Sequence, residues 1–137
     1  MTLKEELIEA VRNAGLDEND VFIEGSEKEI IISKIKQNFI IGNPRALWLG
    51  FNKKPDILPL ENDDEENILK FLSAEFGYNS LVYFLIEDDE YFLLKANIKS
   101  IRNVIYDCRY FEYYIIDEAI CKIFGENDHN DLMFISI

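Results

Sequence analysis

Glycine is scarce, with six in 137 residues, and none of them falls in a pattern that cradles phosphate. The chain has no G-x-x-x-x-G-K-[ST], G-x-G-x-x-G, G-x-S-x-G or H-E-x-x-H, so it lacks the nucleotide loops, the strained nucleophile turn and the helical zinc pair. Nucleotide-dependent enzymes are disfavoured, and no cofactor is expected. Histidine occurs once, which excludes a metal phosphohydrolase built on several histidines. Cys108 and Cys121 sit in apolar stretches without C-x-x-C spacing and read as reduced, buried thiols. No run approaches the ~18 apolar residues of a spanning helix, and Met1 to Leu7 lack the apolar segment of a signal peptide. A cytoplasmic protein is expected.

Positive charge is also short. Fourteen Lys and Arg stand against 27 Asp and Glu, a net charge of −13 with an isoelectric point near 4.4. Phosphate backbones and anionic membrane surfaces are repelled by such a chain, because affinity for them comes mostly from cations releasing counterions. Neither nucleic acid nor membrane is expected as a partner. A basic protein is the partner this charge suits, since long-range attraction speeds encounter; solubility of an aromatic-rich chain accounts for it equally well.

What is present is apolar: 48% of residues are hydrophobic and 13% aromatic, the content of a globular domain. A single domain over residues 1–137 is the economical reading. Thr2-x-x-Glu5 is a capping box, and Leu3, Leu7, Val11 and Ala14 recur at helical spacing, which predicts a helix over 2–14. Residues 16–20 read as a polar turn. Ser26-x-x-Glu29 repeats the capping signature, and Ile31, Ile35 and Phe39 suit a second helix, although Ile30 to Ile32 would also suit a strand. Leu47 to Phe51 reads as a strand. A third helix follows, with Glu61, Asp63, Asp64, Glu65 and Glu66 at its positive end and Ile68, Leu69, Leu72 and Phe76 along its apolar stripe.

From residue 80 the period changes. Leu81 to Ile86 and Tyr91 to Leu94 are strands joined by the charged hairpin Glu87-Asp88-Asp89-Glu90, and their continuous apolarity implies cover on both faces. Asn97 caps a short helix with Ile98, Ile101 and Ile105 inward. Phe111 to Ile116, Ala119 to Phe124 and Leu132 to Ile137 are further strands, the first two joined by the tight connection Asp117-Glu118. The expected fold is α+β, with N-terminal helices packed on a mostly antiparallel sheet of five or six strands and one mixed core.

Several groups of residues are candidate sites. Glu126, Asp128, His129 and Asp131 gather three carboxylates and the histidine within six residues; such a set would ligate a divalent ion or let His129 act as a base, although it fits no EF-hand and suits a turn between strands equally. The exposed acidic runs Asp63, Asp64 and Glu65, and Glu87, Asp88, Asp89 and Glu90, are the candidate partner surface. Lys95, Lys99, Arg102 and Arg109 form a local basic stretch that would hold an anion or simply solvate a helix. Tyr106, Tyr110, Phe111, Tyr113 and Tyr114 read as packing aromatics rather than a stacking surface, and Trp48 as a core residue.

Glu112-Tyr113-Tyr114-Ile115-Ile116-Asp117, followed by Glu126-Asn127-Asp128-His129-Asn130-Asp131, resembles the tail of small acidic bacterial proteins of unknown function, some of which look like immunity proteins of toxin systems. In those proteins a tryptophan often precedes the Glu-Asn pair and two adjacent histidines follow it. Here Ile120 to Phe124 lacks the tryptophan, and Asp128 or Asn130 replaces one histidine. The resemblance implies no particular activity. The expected function is therefore a non-enzymatic acidic protein-binding module, immunity-like in kind, with a metal-dependent hydrolase or metal-binding protein using the Glu126 to Asp131 cluster as the alternative.

Overall fold

In the computed structural model, which describes residues 1–61, 64–108 and 111–137, the chain runs α1 (Leu3–Asn13), α2 (Glu18–Val21), β1 (Phe22–Ile23), α3 (Gly25–Phe39), a 3-10 turn (Leu47–Gly50), β2 (Asp56–Ile57), α4 (Glu65–Phe76), β3 (Leu81–Glu87), β4 (Tyr91–Asn97), α5 (Ile98–Asp107), β5 (Glu112–Asp117), β6 (Lys122–Glu126) and β7 (Leu132–Ser136). Asp63 of the acidic set, Arg109 of the basic stretch and Tyr110 lie outside the described residues.

The apolar runs of the second half become the long strands. They lie in one sheet of order β1-β4-β3-β5-β6-β7-β2, and every neighbouring pair is antiparallel. The sheet has seven strands rather than five or six, because the two-residue β1 and β2 add to its edges. Neither is long enough to leave a periodic signal, and short edge strands of this kind limit open pairing groups.

Both faces of the sheet are covered. Val82, Phe84, Ile86, Phe92, Leu94, Tyr113, Ile115 and Phe124 pack with Leu3, Leu7, Val11, Leu72 and Ile101 from α1, α4 and α5. On the reverse face Leu85, Leu93, Tyr114, Ile116, Ile123 and Ile135 pack with Ile31, Ile35 and Phe39 of α3 and with Leu47 of the 3-10 turn. The core is thus two clusters divided by the sheet rather than one. Helices α4 and α5, expected from the middle of the chain, join α1 on the first of these faces. Each fully buried Leu, Ile or Phe contributes about 1.5–3 kcal/mol by leaving water, which is why alternation along β5 admits no polar side chain between Tyr113 and Ile116.

Local signals decide the helix ends with mixed success. Thr2 Oγ1 accepts the Glu5 amide at 3.2 Å, and Gly15, at φ +81°, lets the Leu16 amide reach back to the Val11 carbonyl at 3.1 Å. The expected polar turn after it is the helical turn α2, capped by Asp17, whose side chain accepts from the Asn19 amide at 2.9 Å, and pinned by Arg12 on Glu18. Helix α3 wins over the strand reading of Ile30 to Ile32, since Ile31, Ile32, Ile35 and Phe39 share its buried side while Ile30 is 56% exposed. Its capping box does not form: Gly25, at φ +65°, opens the helix two residues earlier and leaves Ser26 inside the first turn. Asn97 caps α5 as expected, accepting from the Ser100 amide at 2.9 Å, although Val104 rather than Ile105 takes the buried position.

Two strands are corrected. Leu47 to Phe51 is not a strand; only Phe51 makes a bridge, to Ile40, because the Leu47 and Trp48 amides are taken by side chains rather than by a neighbouring strand. The tight Asp117-Glu118 connection is also longer than expected. Asp117 Oδ1 accepts from the Cys121 and Lys122 amides at 2.8 and 2.9 Å, Ile120 adopts φ +56°, and β6 starts only at Lys122. Among the described residues no helix is long and apolar enough to cross a membrane.

Gly125 stands across the sheet from Tyr114, and a Cβ there would meet the Tyr114 ring at 2.7 Å and the Tyr113 carbonyl at 3.3 Å. Tyr114 is fully buried and has no room to withdraw. Gly125→Ala is expected to destabilise the fold by about 1–3 kcal/mol through overpacking, read as a lower urea midpoint at unchanged slope.

Candidate functional site: the acidic end of the sheet

Antiparallel register brings distant carboxylates together. Glu87 at the end of β3 stands opposite Tyr91 and opposite Glu112, and Glu126 at the end of β6 stands between Tyr113 and Leu132. The hairpin Asp88 to Glu90 and the loop Asn127 to Asp131 therefore open at the same end of the sheet. Leu58 donates its amide to the Leu132 carbonyl at 2.9 Å, which brings the chain leading to Asp64 and Glu65 alongside; Glu65 and Glu126 both act on the Tyr106 hydroxyl. The opposite end carries ion pairs instead. There Lys95 meets Glu118 at 2.9 Å and Lys122 meets Glu75 at 3.5 Å.

Within the acidic end the carboxylates have different tasks. Glu87 is half-buried, and both of its oxygens accept the Leu47 amide at 3.1 Å. Tyr114 donates its hydroxyl to Glu87 at 3.0 Å and accepts the Trp48 amide at 3.1 Å, while Tyr91 donates to Glu87 at 3.4 Å. A carboxylate from the sheet thus satisfies the start of the 3-10 turn, whose first amides have no helical acceptor. Burial, then the Glu87 charge, pushes the Tyr91 hydroxyl up to about 12 and raises Tyr114 well beyond its ordinary value, so both remain donors. Glu87 belongs to the fold more than to the partner surface proposed for it from sequence. Asp64 is similarly engaged, accepting from the Asn67 side chain at 2.9 Å. Glu65, Asp88, Asp89 and Glu90 are exposed.

Trp48 is half-buried rather than core. Its Nε1 donates to Glu112 at 3.4 Å, and its ring meets His129 edge-on, with centroids 5.7 Å apart. Burial raises the Glu112 carboxyl, the Glu87 and Asp128 charges add to this, and the Trp48 and Asp128 N–H groups oppose it.

The Glu126 to Asp131 cluster does not converge. Asn127, 2% exposed, organises the turn: its Oδ1 accepts from the His129 and Asp131 amides at 2.9 and 3.0 Å, and Asn130 takes φ +63°. That geometry sends His129 onto Trp48 on the α3 side. Glu126 points to the other face, beneath α4 and α5 with Arg102 and Tyr113, as strand alternation requires. Asp128 remains near His129 at 3.6 Å, both exposed. Among the described residues no three His, Cys, Asp or Glu side chains are grouped to hold a metal ion.

The basic stretch is likewise dispersed: Lys95 pairs at the far end, Lys99 is exposed, and Arg102 turns inward. Phe111 and Tyr113 pack on one face of the sheet and Tyr114 on the other, while Tyr106 is 44% exposed. Cys108 and Cys121 are half-buried free thiols rather than fully buried ones. Burial, with Asp107 and Glu6 nearby, pushes the Cys108 thiol up to about 11, away from nucleophilic use.

Sequence reasoning missed Tyr91, Tyr114 and the Leu47 amide as partners of Glu87, and Tyr114 as the acceptor of the Trp48 amide. No local signal marks them, since Glu87 lies 40 residues from Leu47 and 27 from Tyr114. No protein-family model, curated protein or solved structure is significantly similar to the chain.

Tyr114→Phe leaves the Trp48 amide without its acceptor and is expected to cost about 1–3 kcal/mol, more than Tyr91→Phe, measured by urea unfolding. Glu112 and Glu126 are both raised by burial, so at these sites the folded chain binds protons more readily than the unfolded one. Their contribution to stability should rise as pH falls from the raised values to the ordinary carboxylate range and level off below it. Glu112→Gln is expected to flatten that rise, followed by Trp48 fluorescence during denaturant titrations across pH.

Proposed function

We propose that the protein is a non-enzymatic cytoplasmic module that binds a basic protein partner through the acidic end of its sheet, in the manner of immunity proteins that mask a cationic target. One observation carries the reading: the strand register gathers the Asp88 to Glu90 hairpin, Glu112, Asp128 and Asp131 at one end, and all of these but Glu112 are exposed there. A local concentration of exposed carboxylates orients an approaching cationic partner and accelerates encounter over roughly a Debye length, ~8 Å at physiological salt. Charge spread evenly over the surface would serve solubility alone. In this reading Asp88, Asp89, Glu90, Glu65, Asp128 and Asp131 make the contact, and Glu87 holds the 3-10 turn beside it.

The test compares two variants of equal charge change. Asp88, Asp89 and Glu90 are replaced together by Lys; separately, Glu24, Glu27 and Glu29 at the start of α3 are replaced by Lys. Pull-downs from bacterial lysate should recover a basic protein with the unaltered chain and with the α3 variant, lose it with the hairpin variant, and lose it as salt rises. Equal recovery by all three chains, or none at low salt, contradicts the proposal.

A further inference from the structure

The face of the sheet under α4 and α5 does not close completely. A cavity of about 140 Å³ lies there, walled by Ile68, Leu72, Ile105 and Ile115 and also by Arg102 and Glu126. Apolar cavities of ~150 Å³ accept molecules the size of benzene, and a void left empty forfeits the dispersion contacts of its lining. Packing alone would set aliphatic residues at all six positions. Instead the buried Nε of Arg102 has no hydrogen-bond partner among the described residues, and a charged donor left unmade costs more than the about 1–3 kcal/mol of a neutral one. Glu126 is 8% exposed; the Tyr113 hydroxyl donates to it, and burial holds its carboxyl above the ordinary range. A mostly apolar hole, lined also by Tyr106 and Tyr113, thus has a donor lacking an acceptor and a desolvated carboxyl in its wall.

We infer that this cavity takes the branched side chain of a small apolar α-amino acid such as leucine, a group smaller than benzene, with the carboxylate on Arg102 and the ammonium on Glu126. The carboxylate supplies the acceptor that Nε lacks, in a charge-assisted bond. The ammonium favours ionised Glu126, offsetting its desolvation. A ligand with only one of these groups leaves either Arg102 Nε without an acceptor or Glu126 without a cation in a dry site. The inference rests on the cavity alone and is independent of the partner reading.

Calorimetric titration of the full chain with L-leucine, 4-methylpentanoate and 3-methylbutylamine separates the contributions. Leucine should bind saturably, and each one-ended analogue about tenfold more weakly or worse. Arg102→Gln removes an unsatisfied group and should fold; it and Glu126→Gln should each weaken leucine about tenfold or more. Methyl NMR of the unaltered chain provides a readout free of folding effects, with leucine-dependent shifts centred on Ile68, Ile105 and Ile115. Absence of saturable leucine binding, an analogue that binds as well as leucine, or shifts centred elsewhere overturns the inference.

Discussion

The pairing of β3 with β4 on one side and β5 on the other is the constraint from which the remaining features follow. Its register sets Phe84 between Leu94 and Ile115, and Leu85 between Leu93 and Tyr114, so that each face receives one continuous apolar set. A slip of one residue would carry every such set to the opposite face. Both faces are buried here, so a slip would not expose the strands to water; it would mismatch the shapes of α1, α4 and α5 against those of α3. The same register places Glu87 level with Glu112, and the charge at that end of the sheet is a by-product of packing in its middle.

Two like charges directly opposite on neighbouring strands are unfavourable, and the surroundings of Glu87 and Glu112 offset this with donors. Glu87 takes the Leu47 amide and two tyrosine hydroxyls, and Glu112 takes the Trp48 indole. The repulsion is thereby converted into a clamp on the 3-10 turn, which closes the α3 face over Tyr114. Removing any one donor leaves a carboxylate that has already lost part of its hydration, so the network behaves as a unit rather than as a sum of weak bonds.

Glu126 shows how alternation divides one stretch of sequence between two environments. It and His129 are three residues apart, yet one faces the cavity with Arg102 and the other lies on Trp48. A cluster that looks like a single ligand set along the chain becomes a buried carboxyl on one side of the sheet and an exposed turn on the other. The acidic end and the cavity share Glu126 as their boundary, but they call for different chemistry: solvated charges for a macromolecule, desolvated ones for a small molecule.

The amino-acid sequence by itself determined the α+β class, the apolar runs that became β3 to β7, the helix starts at Thr2 and Asn97, and the scarcity of positive charge, because each is written in the period or composition of neighbouring residues. It could not distinguish a strand from the 3-10 turn at Leu47, since the choice lies with a carboxylate 40 residues away, nor reveal β1 and β2, which are too short for any period. Only the tertiary structure decided which carboxylates gather, which are spent on the fold and which line the cavity. The physical reason is that hydrogen-bond partners and burial are set by strand register, and register joins residues that the chain keeps far apart.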